Sequence, residues 1–230
     1  MKIDILTLFP GMFDALTSES IIGRAQRFAK VSIQTHNIRD FAANKHRKVD
    51  DKPFGGGPGM VLQCQPVIDT INSVKALSPR AKVILMSPRG KMLNHSLCLS
   101  LSKAPGLMLV CGHYEGADER IRGHIDQEIS IGDYILTGGE LPAMVLIDSV
   151  VRLLPGVLGH EKSNIDESFS NGLLEYSQYT RPANYSGKKV PELLISGNHN
   201  IVKSWRRRES LFKTIHKRPD LIKHISQLEI

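Results

Sequence analysis

The sequence predicts an α/β fold with a mostly parallel sheet whose two faces are covered by helices. Short apolar runs of β type alternate along the chain with longer segments of helical spacing, which is the order of βαβ units. The predicted strands are apolar without interruption, as in Leu107–Cys111, and such strands are typical of parallel sheets buried on both sides.

Five strands are expected, each a short run rich in aliphatic residues: Ile3–Leu8, Val31–Ile38, Lys82–Met86, Leu107–Cys111 and Glu128–Ile131. Helices are expected between them near residues 11–28, 65–76, 92–102 and 117–124, followed by a longer apolar helix from Glu140 to Leu153. The chain shows no internal repeat.

The character of the chain changes around Leu154–Glu175, a polar stretch with Gly and Pro and no sustained period. This stretch predicts a linker or a functional loop. Beyond it, helices are expected over Pro191–Leu194 and His199–His216, and Pro219 suits the start of a last short helix. The apolar stripe of the longer helix is predicted to consist of Ile201, Trp205, Phe212 and Ile215.

These changes predict three parts of the chain. A first domain is expected over residues 1–160, a linker or loop over 161–175, and a small helical domain over 176–230.

Composition excludes several classes of protein. A hydrophobic fraction of 41% with mixed charges argues against a disordered chain, and no apolar run approaches the roughly 18 residues of a membrane span. The N-terminus does not resemble a secretory signal. The three cysteines are widely spaced and odd in number, which favours a reducing compartment. We therefore expect a cytoplasmic protein.

The formal charge is +7, and most of the surplus lies in one segment. Residues 203–224 contain eight Lys or Arg and only Glu209 and Asp220 as acids. From charge alone, a solvated helix face and a surface that contacts a phosphate backbone are equally supported.

A first glycine cluster, Lys52–Met60, contains Gly or Pro at each of positions 55–59 and follows the basic run Lys45–Lys48. Glycine lets a backbone approach a ligand closely. The cluster lacks the Lys and Ser/Thr of a phosphate-binding P-loop and the third glycine of a dinucleotide-binding motif. A flexible connector therefore remains the alternative to a ligand loop.

Three further loops rich in Gly and polar residues each follow a predicted strand: Ser87–Gly90, Cys111–Gly116 and Ile131–Glu140. Ligands of open α/β sheets bind outside the carboxyl ends of the strands. The three loops together predict a ligand cleft on one side of the sheet.

Seven motifs occur along the chain in a fixed order: LTLFPGMF, FGGGPGM, CGHYEGADER, IGDYILTGGELPA, RLLPGVLG, GLLEY followed by YTRP, and SGNHNIVKSWRRRESL. In this order they resemble the bacterial tRNA (guanine-N1)-methyltransferase family, which modifies the guanosine immediately 3′ of the anticodon. The resemblance extends from residue 1 to about residue 220.

The resemblance implies a SPOUT-type α/β fold with a deep trefoil knot and a small helical C-terminal domain that grips the tRNA. It implies S-adenosylmethionine as methyl donor, with Mg²⁺ as a possible further ion, and a homodimer with active sites at the subunit interface. The knot is not expected from general rules, which disfavour threaded chains.

The resemblance also implies site residues. The donor would be bound by Ser87, Pro88, Gly90, Gly112, Tyr114, Gly116, Ile131, Gly132, Asp133, Tyr134, Ile135, Leu136, Gly138, Gly139 and Pro142. The tRNA would be bound by Lys203, Arg206, Arg207, Arg208 and Lys213.

Methylation of guanine N1 requires a base to remove the N1 proton and a cation or donor near O6, where negative charge develops. The resemblance assigns the cation to Arg152, and Glu115 to guanine or a divalent ion. The family pattern Asp-Ser-Phe is replaced here by Asp166-Glu167-Ser168-Phe169, so alignment on the last two residues makes Glu167 the base and leaves Asp166 in reserve.

The nine histidines and three cysteines have no spacing typical of a zinc site. Two alternatives to the methylation of this guanosine stay open: a SPOUT methyltransferase acting on another RNA, and a tRNA-binding protein without catalysis.

Overall fold

A computed structural model of the chain describes residues 1–159 and 166–222, which form two compact units with the first ending at Gly159. Residues 161–165 of the predicted linker, and Lys223 with the rest of the predicted C-terminal domain, lie outside the described residues.

The first unit alternates strands and helices, as the sequence predicts. In chain order its elements are β1 (Lys2–Thr7), α1 (Asp14–Ser18), α2 (Ser20–Arg27), β2 (Ser32–Asn37), β3 (Asp50–Asp51), β4 (Val61–Leu62), α3 (Cys64–Leu77), β5 (Lys82–Met92), α4 (His95–Leu101), β6 (Gly106–Cys111), β7 (Gln127–Ser130) and α5 (Glu140–Val151). Short 3₁₀ helices cover Pro10–Phe13, Ile38–Phe41 and Glu119–His124.

Five strands form one parallel sheet in the order β2-β1-β6-β5-β7, and the short strands β3 and β4 pair separately. The central strand β6 is buried along its whole length. Its alternate residues enter two different cores, with Leu107 and Leu109 in one and Met108 and Val110 in the other. The predicted parallel sheet with two covered faces is therefore confirmed.

The predicted helix near residues 11–28 is divided into a 3₁₀ turn, α1 and α2. Glu19 takes an extended conformation and Ser20 has a positive φ of 53°, so the helix stops and restarts. Gly23 then passes so close to α1 that a Cβ there would lie 2.1 Å from the Ser18 carbonyl oxygen. The predicted helix near 117–124 is a 3₁₀ helix.

Strand β5 is longer than predicted and pairs with β7 in two places. Met86 and Lys91 both lie opposite Ile129, so the intervening Ser87–Gly90 segment loops out of the sheet. A Cβ at Gly90 would lie 2.3 Å from the Ile129 amide nitrogen, which explains why a glycine closes this loop.

The second unit contains β8 (Asn184–Tyr185), β9 (Lys188–Lys189), α6 (Glu192–Ile195), α7 (His199–Lys217) and a 3₁₀ turn over Pro219–Leu221. The helices agree with the prediction, but a purely helical domain does not, because β8 and β9 form an antiparallel hairpin. Its turn residues Ser186 and Gly187 both have positive φ, which suits a two-residue hairpin turn.

The predicted apolar stripe of α7 is only partly buried, because Trp205 is half-buried but the other three members are exposed. Ile201, Phe212 and Ile215 are 41–60% exposed, whereas Ser210 and Thr214 are buried. Thr214 Oγ1 donates to the Ser210 carbonyl and accepts from the Leu174 amide at 2.9 Å, so a polar contact occupies the buried face. Within the described residues, no helix is long and apolar enough to cross a membrane.

Candidate active site

A cavity of about 660 Å³ opens beside the looped-out Ser87–Gly90 segment of β5 and at the carboxyl ends of β6 and β7. This segment and the loops that follow β6 and β7 all line it, so the predicted convergence of the glycine-bearing loops is confirmed. Its size lies within the range of small-molecule sites.

Most residues predicted to bind the donor line this cavity: Ser87, Pro88, Gly112, Tyr114, Gly116, Ile131, Gly132, Tyr134, Ile135, Leu136, Gly138, Gly139 and Pro142. Gly90 and Asp133 are not among the lining residues. Gly90 instead allows the Ser87–Gly90 loop to pass against β7. The binding role of each residue stays a prediction.

Glycines allow two loops to touch on one side of the cavity. The Gly139 amide donates to the Gly112 carbonyl at 2.7 Å, and His113 pairs with Gly138 in an isolated bridge. A Cβ at Gly139 would lie 2.8 Å from both Cys111 Cα and the Gly112 amide nitrogen. Beside Gly116, by contrast, a Cβ would meet no atom within 4 Å, so glycine there leaves space in the cavity.

A buried carboxylate lies behind these loops. Glu140, in the first turn of α5, is 2% exposed, and its Oε1 accepts a 2.8 Å hydrogen bond from Thr7 Oγ1. Glu140 Oε2 lies 4.0 Å from His113 Nδ1, which is buried without a hydrogen-bond partner among the described residues. Burial, together with the charge of Glu140, raises the pKa of Cys111 well above its usual value, so this thiol stays protonated.

The first glycine cluster, Lys52–Met60, ends beside the Cys111–Gly116 loop. The Glu115 amide donates to the Met60 carbonyl at 3.0 Å, and the Leu62 amide donates to the Gly116 carbonyl at 2.9 Å. Gly59 has a positive φ of 81°, and a Cβ there would lie 2.5 Å from Glu115 Oε1. The cluster is therefore not only a connector, because it holds the backbone at the cavity wall where the Glu115 side chain is exposed.

Ion pairs order another part of the wall. Arg122 Nη1 contacts Glu128 Oε1 at 2.7 Å, and Arg89 contacts Glu119 at 3.4 Å. Hydrogen bonding from Arg120 lowers the pKa of the lining residue Asp118 to about 2. Asp118 therefore stays ionised at neutral pH.

The four predicted catalytic residues lie in both units. Glu115 lines the cavity, and Arg152 is half-buried where α5 ends. Asp166 and Glu167 belong to the second unit, where Asp166 is exposed and Glu167 half-buried. Their catalytic roles stay predictions.

The segment that carries Glu167 is fixed by hydrogen bonds within the second unit. The Ser170 hydroxyl donates to the Glu167 carbonyl at 2.6 Å, and the Ser168 hydroxyl accepts from the Glu175 amide at 2.9 Å. The Leu174 amide then attaches the segment to Thr214 of α7. Glu167 therefore lies in a turn held against α7.

All five residues predicted to bind tRNA lie on α7. Lys203 and the three arginines are exposed, and Lys213 is half-buried. The guanidinium of Arg206 lies over the Tyr176 ring, 4.7 Å from its centroid. The exposed hairpin residues Lys188 and Lys189 add positive charge that was not predicted as part of this surface.

Within the described ranges, no group of three or more His, Cys, Asp or Glu side chains is placed to hold a metal ion. Sequence reasoning missed the contact of Thr7, Glu140 and His113, since Thr7 and Glu140 are 133 residues apart. The only local signal was the position of Glu140 directly after two glycines.

Comparison with known proteins gives a consistent result. A sequence model of the family described as tRNA (Guanine-1)-methyltransferase TrmD matches residues 1–224. A tRNA (guanine-N(1)-)-methyltransferase of Geobacillus kaustophilus (strain HTA426) is 58% identical over 96% of this chain and 91% of that protein. A protein of the same name from Ruminiclostridium cellulolyticum is 59% identical over 96% of this chain and 96% of its own length. Another, from Staphylococcus aureus (strain MRSA252), is 54% identical over 96% of this chain and 91% of its own length.

The family model spans nearly the whole chain, and these relatives match it at high identity over nearly their full lengths. The chain belongs to the tRNA (guanine-1)-methyltransferase TrmD family, a family of methyltransferases.

Proposed function

We propose that this chain transfers the methyl group of S-adenosylmethionine to N1 of the guanosine immediately 3′ of the anticodon in tRNA. The observation that carries the proposal is the cavity formed by three glycine-bearing loops in a chain whose relatives are named tRNA (guanine-N(1)-)-methyltransferase. Family membership alone would not indicate where the donor binds.

The residues around the cavity fit such a donor. Space is left beside Gly116, and the Gly138–Gly139 backbone is held against Gly112. The apolar side chains of Ile135 and Leu136 and the polar loop groups together suit a nucleoside with an amino-acid end. When bound, S-adenosylmethionine would supply an electrophilic methyl group on a positively charged sulfur, which becomes a neutral thioether after transfer.

The protein must remove the N1 proton of guanine, because N1 is protonated at neutral pH. Glu167 takes this proton in the proposal, with Asp166 as the reserve, and N1 then forms a bond to the methyl carbon. Arg152 stabilises the negative charge that develops at O6. Glu115, exposed at the cavity wall, orients the guanine.

The proposal includes a SPOUT-type trefoil knot, a homodimer with active sites at the subunit interface, and a tRNA grip on α7. Family membership supports the first two. The looped-out Ser87–Gly90 segment, which lets β5 pair twice with β7, is consistent with an unusual path of the chain in this region. The exposed basic side chains of α7 support the grip.

Thermal unfolding with and without S-adenosylmethionine tests the donor site. A ligand that binds only the folded state stabilises it, so a donor concentration 100-fold above Kd should raise the Tm by about 5–10 °C. ATP, which shares the adenosine but lacks the sulfonium and the amino acid, serves as control and should give a smaller shift. No shift with the donor at millimolar concentration would contradict the proposal.

A further inference from the structure

A second cavity, of about 560 Å³, lies entirely within the second unit. It is enclosed by the Tyr176–Arg181 segment on one side and by α6 and α7 on the other. The residues next to the β8–β9 hairpin, Ala183 and Val190, also line it, and the Val190 amide donates to the Ala183 carbonyl at 2.9 Å. The cavity therefore has a wall built from several elements.

Three aromatic side chains line this cavity: Tyr176, Tyr179 and Trp205. The Tyr179 and Trp205 rings lie 6.4 Å apart between centroids and are tilted by 55°, so they are not stacked on each other. Tyr179 is 49% exposed. The ring of an incoming planar group therefore has an accessible aromatic surface to stack on.

The ionised side chains that line the described cavity are all positively charged. Two arginines line it, Arg181 and Arg206, and none of its lining residues within the described part of the chain is Asp or Glu. Nearby on α7, the carboxylate of Glu209 accepts a 2.7 Å hydrogen bond from Ser177. Lys188 and Lys189 of the hairpin extend the positive charge beside the cavity. An anionic partner with planar groups complements this surface.

We propose that this cavity binds an unstacked nucleobase of the RNA substrate, stacked against Tyr179 and Trp205, with neighbouring phosphates at Arg181 and Arg206. Proteins recognise unpaired bases by stacking them on aromatic rings and arginine planes, beside cations that contact the backbone. The proposal rests on tRNA being the substrate. It adds a site for an individual base to the basic tRNA-binding surface proposed for α7.

Trp205 reports directly on this site because it is the only tryptophan of the chain. Titration of the full-length protein with an unmodified tRNA transcript should quench its fluorescence as a base stacks beside it. The same titration with the Tyr179→Ala variant should need more transcript to reach half of the quenching. A transcript that binds without changing the Trp205 emission would overturn the proposal.

Substitution tests the stacking energy. Base–aromatic stacking corresponds to an affinity change of about 5- to 150-fold on alanine substitution, so Tyr179→Ala should weaken tRNA binding within this range. Tyr179→Phe, which keeps the ring, should bind nearly as the parent does. Tyr185→Ala is the matched control, since Tyr185 is an exposed tyrosine of the same unit outside the cavity lining.

Two measurements separate this inference from its alternatives. The first is tRNA binding, which is measured separately from methyl transfer. If Tyr179→Ala weakens tRNA binding as expected but the parent protein transfers no methyl group, the proposed function is refuted and the base site is retained. The second is light scattering, which records the oligomeric state of each variant. If Tyr179→Ala changes that state while leaving tRNA affinity within twofold of the parent, the cavity is a protein contact and the base site is wrong.

Discussion

Thr7 Oγ1 donates a 2.8 Å hydrogen bond to Glu140 Oε1, joining the end of β1 to the first turn of α5. The same hydroxyl accepts a 2.9 Å hydrogen bond from the Phe9 amide. Because Glu140 is buried, its carboxylate depends on such partners and on the favourable position at a helix N-terminus. One threonine thereby helps to fix α5, which begins directly after Gly138–Gly139 at the cavity wall.

Thr7→Val should therefore lower the free energy of unfolding by about 1–3 kcal/mol, because it leaves a buried charged acceptor without its partner at nearly constant volume. Thr7→Ser keeps the hydroxyl and should lose less. Urea denaturation of the three proteins measures the difference. Equal stability of Thr7→Val and the parent would show that the hydrogen bond contributes little.

A second prediction concerns acid stability. Asp4, fully buried on β1, contacts His36 Nε2 at 2.8 Å, Ser78 Oγ at 3.1 Å and Lys2 Nζ at 3.4 Å. Burial acts to raise the pKa of Asp4, but the hydrogen bonds from His36 and Ser78 and the charge of Lys2 outweigh it, so the pKa lies below 3.8. The ionised form therefore favours the folded state.

This contribution is fully present above the unfolded pKa, near pH 4, and is lost as the pH falls through the lower folded pKa. Asp4→Asn should be less stable than the parent at pH 7 by about 1–3 kcal/mol, and the difference should shrink below pH 4. Asp148→Asn, at an exposed position of α5, is the control. A difference that does not change between pH 7 and pH 3 would disprove the linkage.

A third prediction tests the close approach of the cavity loops. Gly139→Ala places a Cβ 2.8 Å from the backbone at Cys111 and Gly112, which can only move apart at the cost of the Gly139–Gly112 hydrogen bond. Donor affinity should fall at least tenfold, as measured by calorimetry. Gly123→Ala, where no atom lies within 4 Å of the added Cβ, should bind as the parent does. Equal affinities in both variants would rule out this role of Gly139.

The sequence was a good guide to the sheet because its strands are buried on both faces. An uninterrupted apolar run such as Leu107–Cys111 is stable mainly as a strand covered on both faces, and β6 is buried along its whole length. The glycine loops were predictable for a related reason, since strands that run parallel end at one edge and bring their following loops together.

Other features depend on contacts that no local pattern shows. The break between α1 and α2 is made by Glu19 and Ser20, neither of which is a typical helix breaker. The buried side of α7 is polar because Thr214 binds the Leu174 amide, 40 residues away in sequence. The periodicity of apolar residues placed Phe212 and Ile215 on the buried side of α7, but both are exposed. Such a pattern reflects hydrophobicity and carries no information on hydrogen bonds.

A fourth prediction addresses the catalytic carboxylate. Glu167→Gln should reduce the rate of methyl transfer by about 10²- to 10⁴-fold, because a general base would be lost, while Asp166→Asn should keep most of it. Donor affinity, measured separately, should be unchanged in both variants. If Asp166→Asn loses turnover and Glu167→Gln keeps it, the base is Asp166 and the alignment on Ser168 and Phe169 is wrong.

The most direct test of the account is the transfer of labelled methyl from S-adenosylmethionine to unmodified tRNA transcripts that differ only at the residue 3′ of the anticodon. We expect label in N1-methylguanosine when that residue is guanosine, and none when it is adenosine. Equal labelling of both transcripts would point to another RNA position. No labelling of either by a protein that binds donor and tRNA would contradict the proposed catalysis.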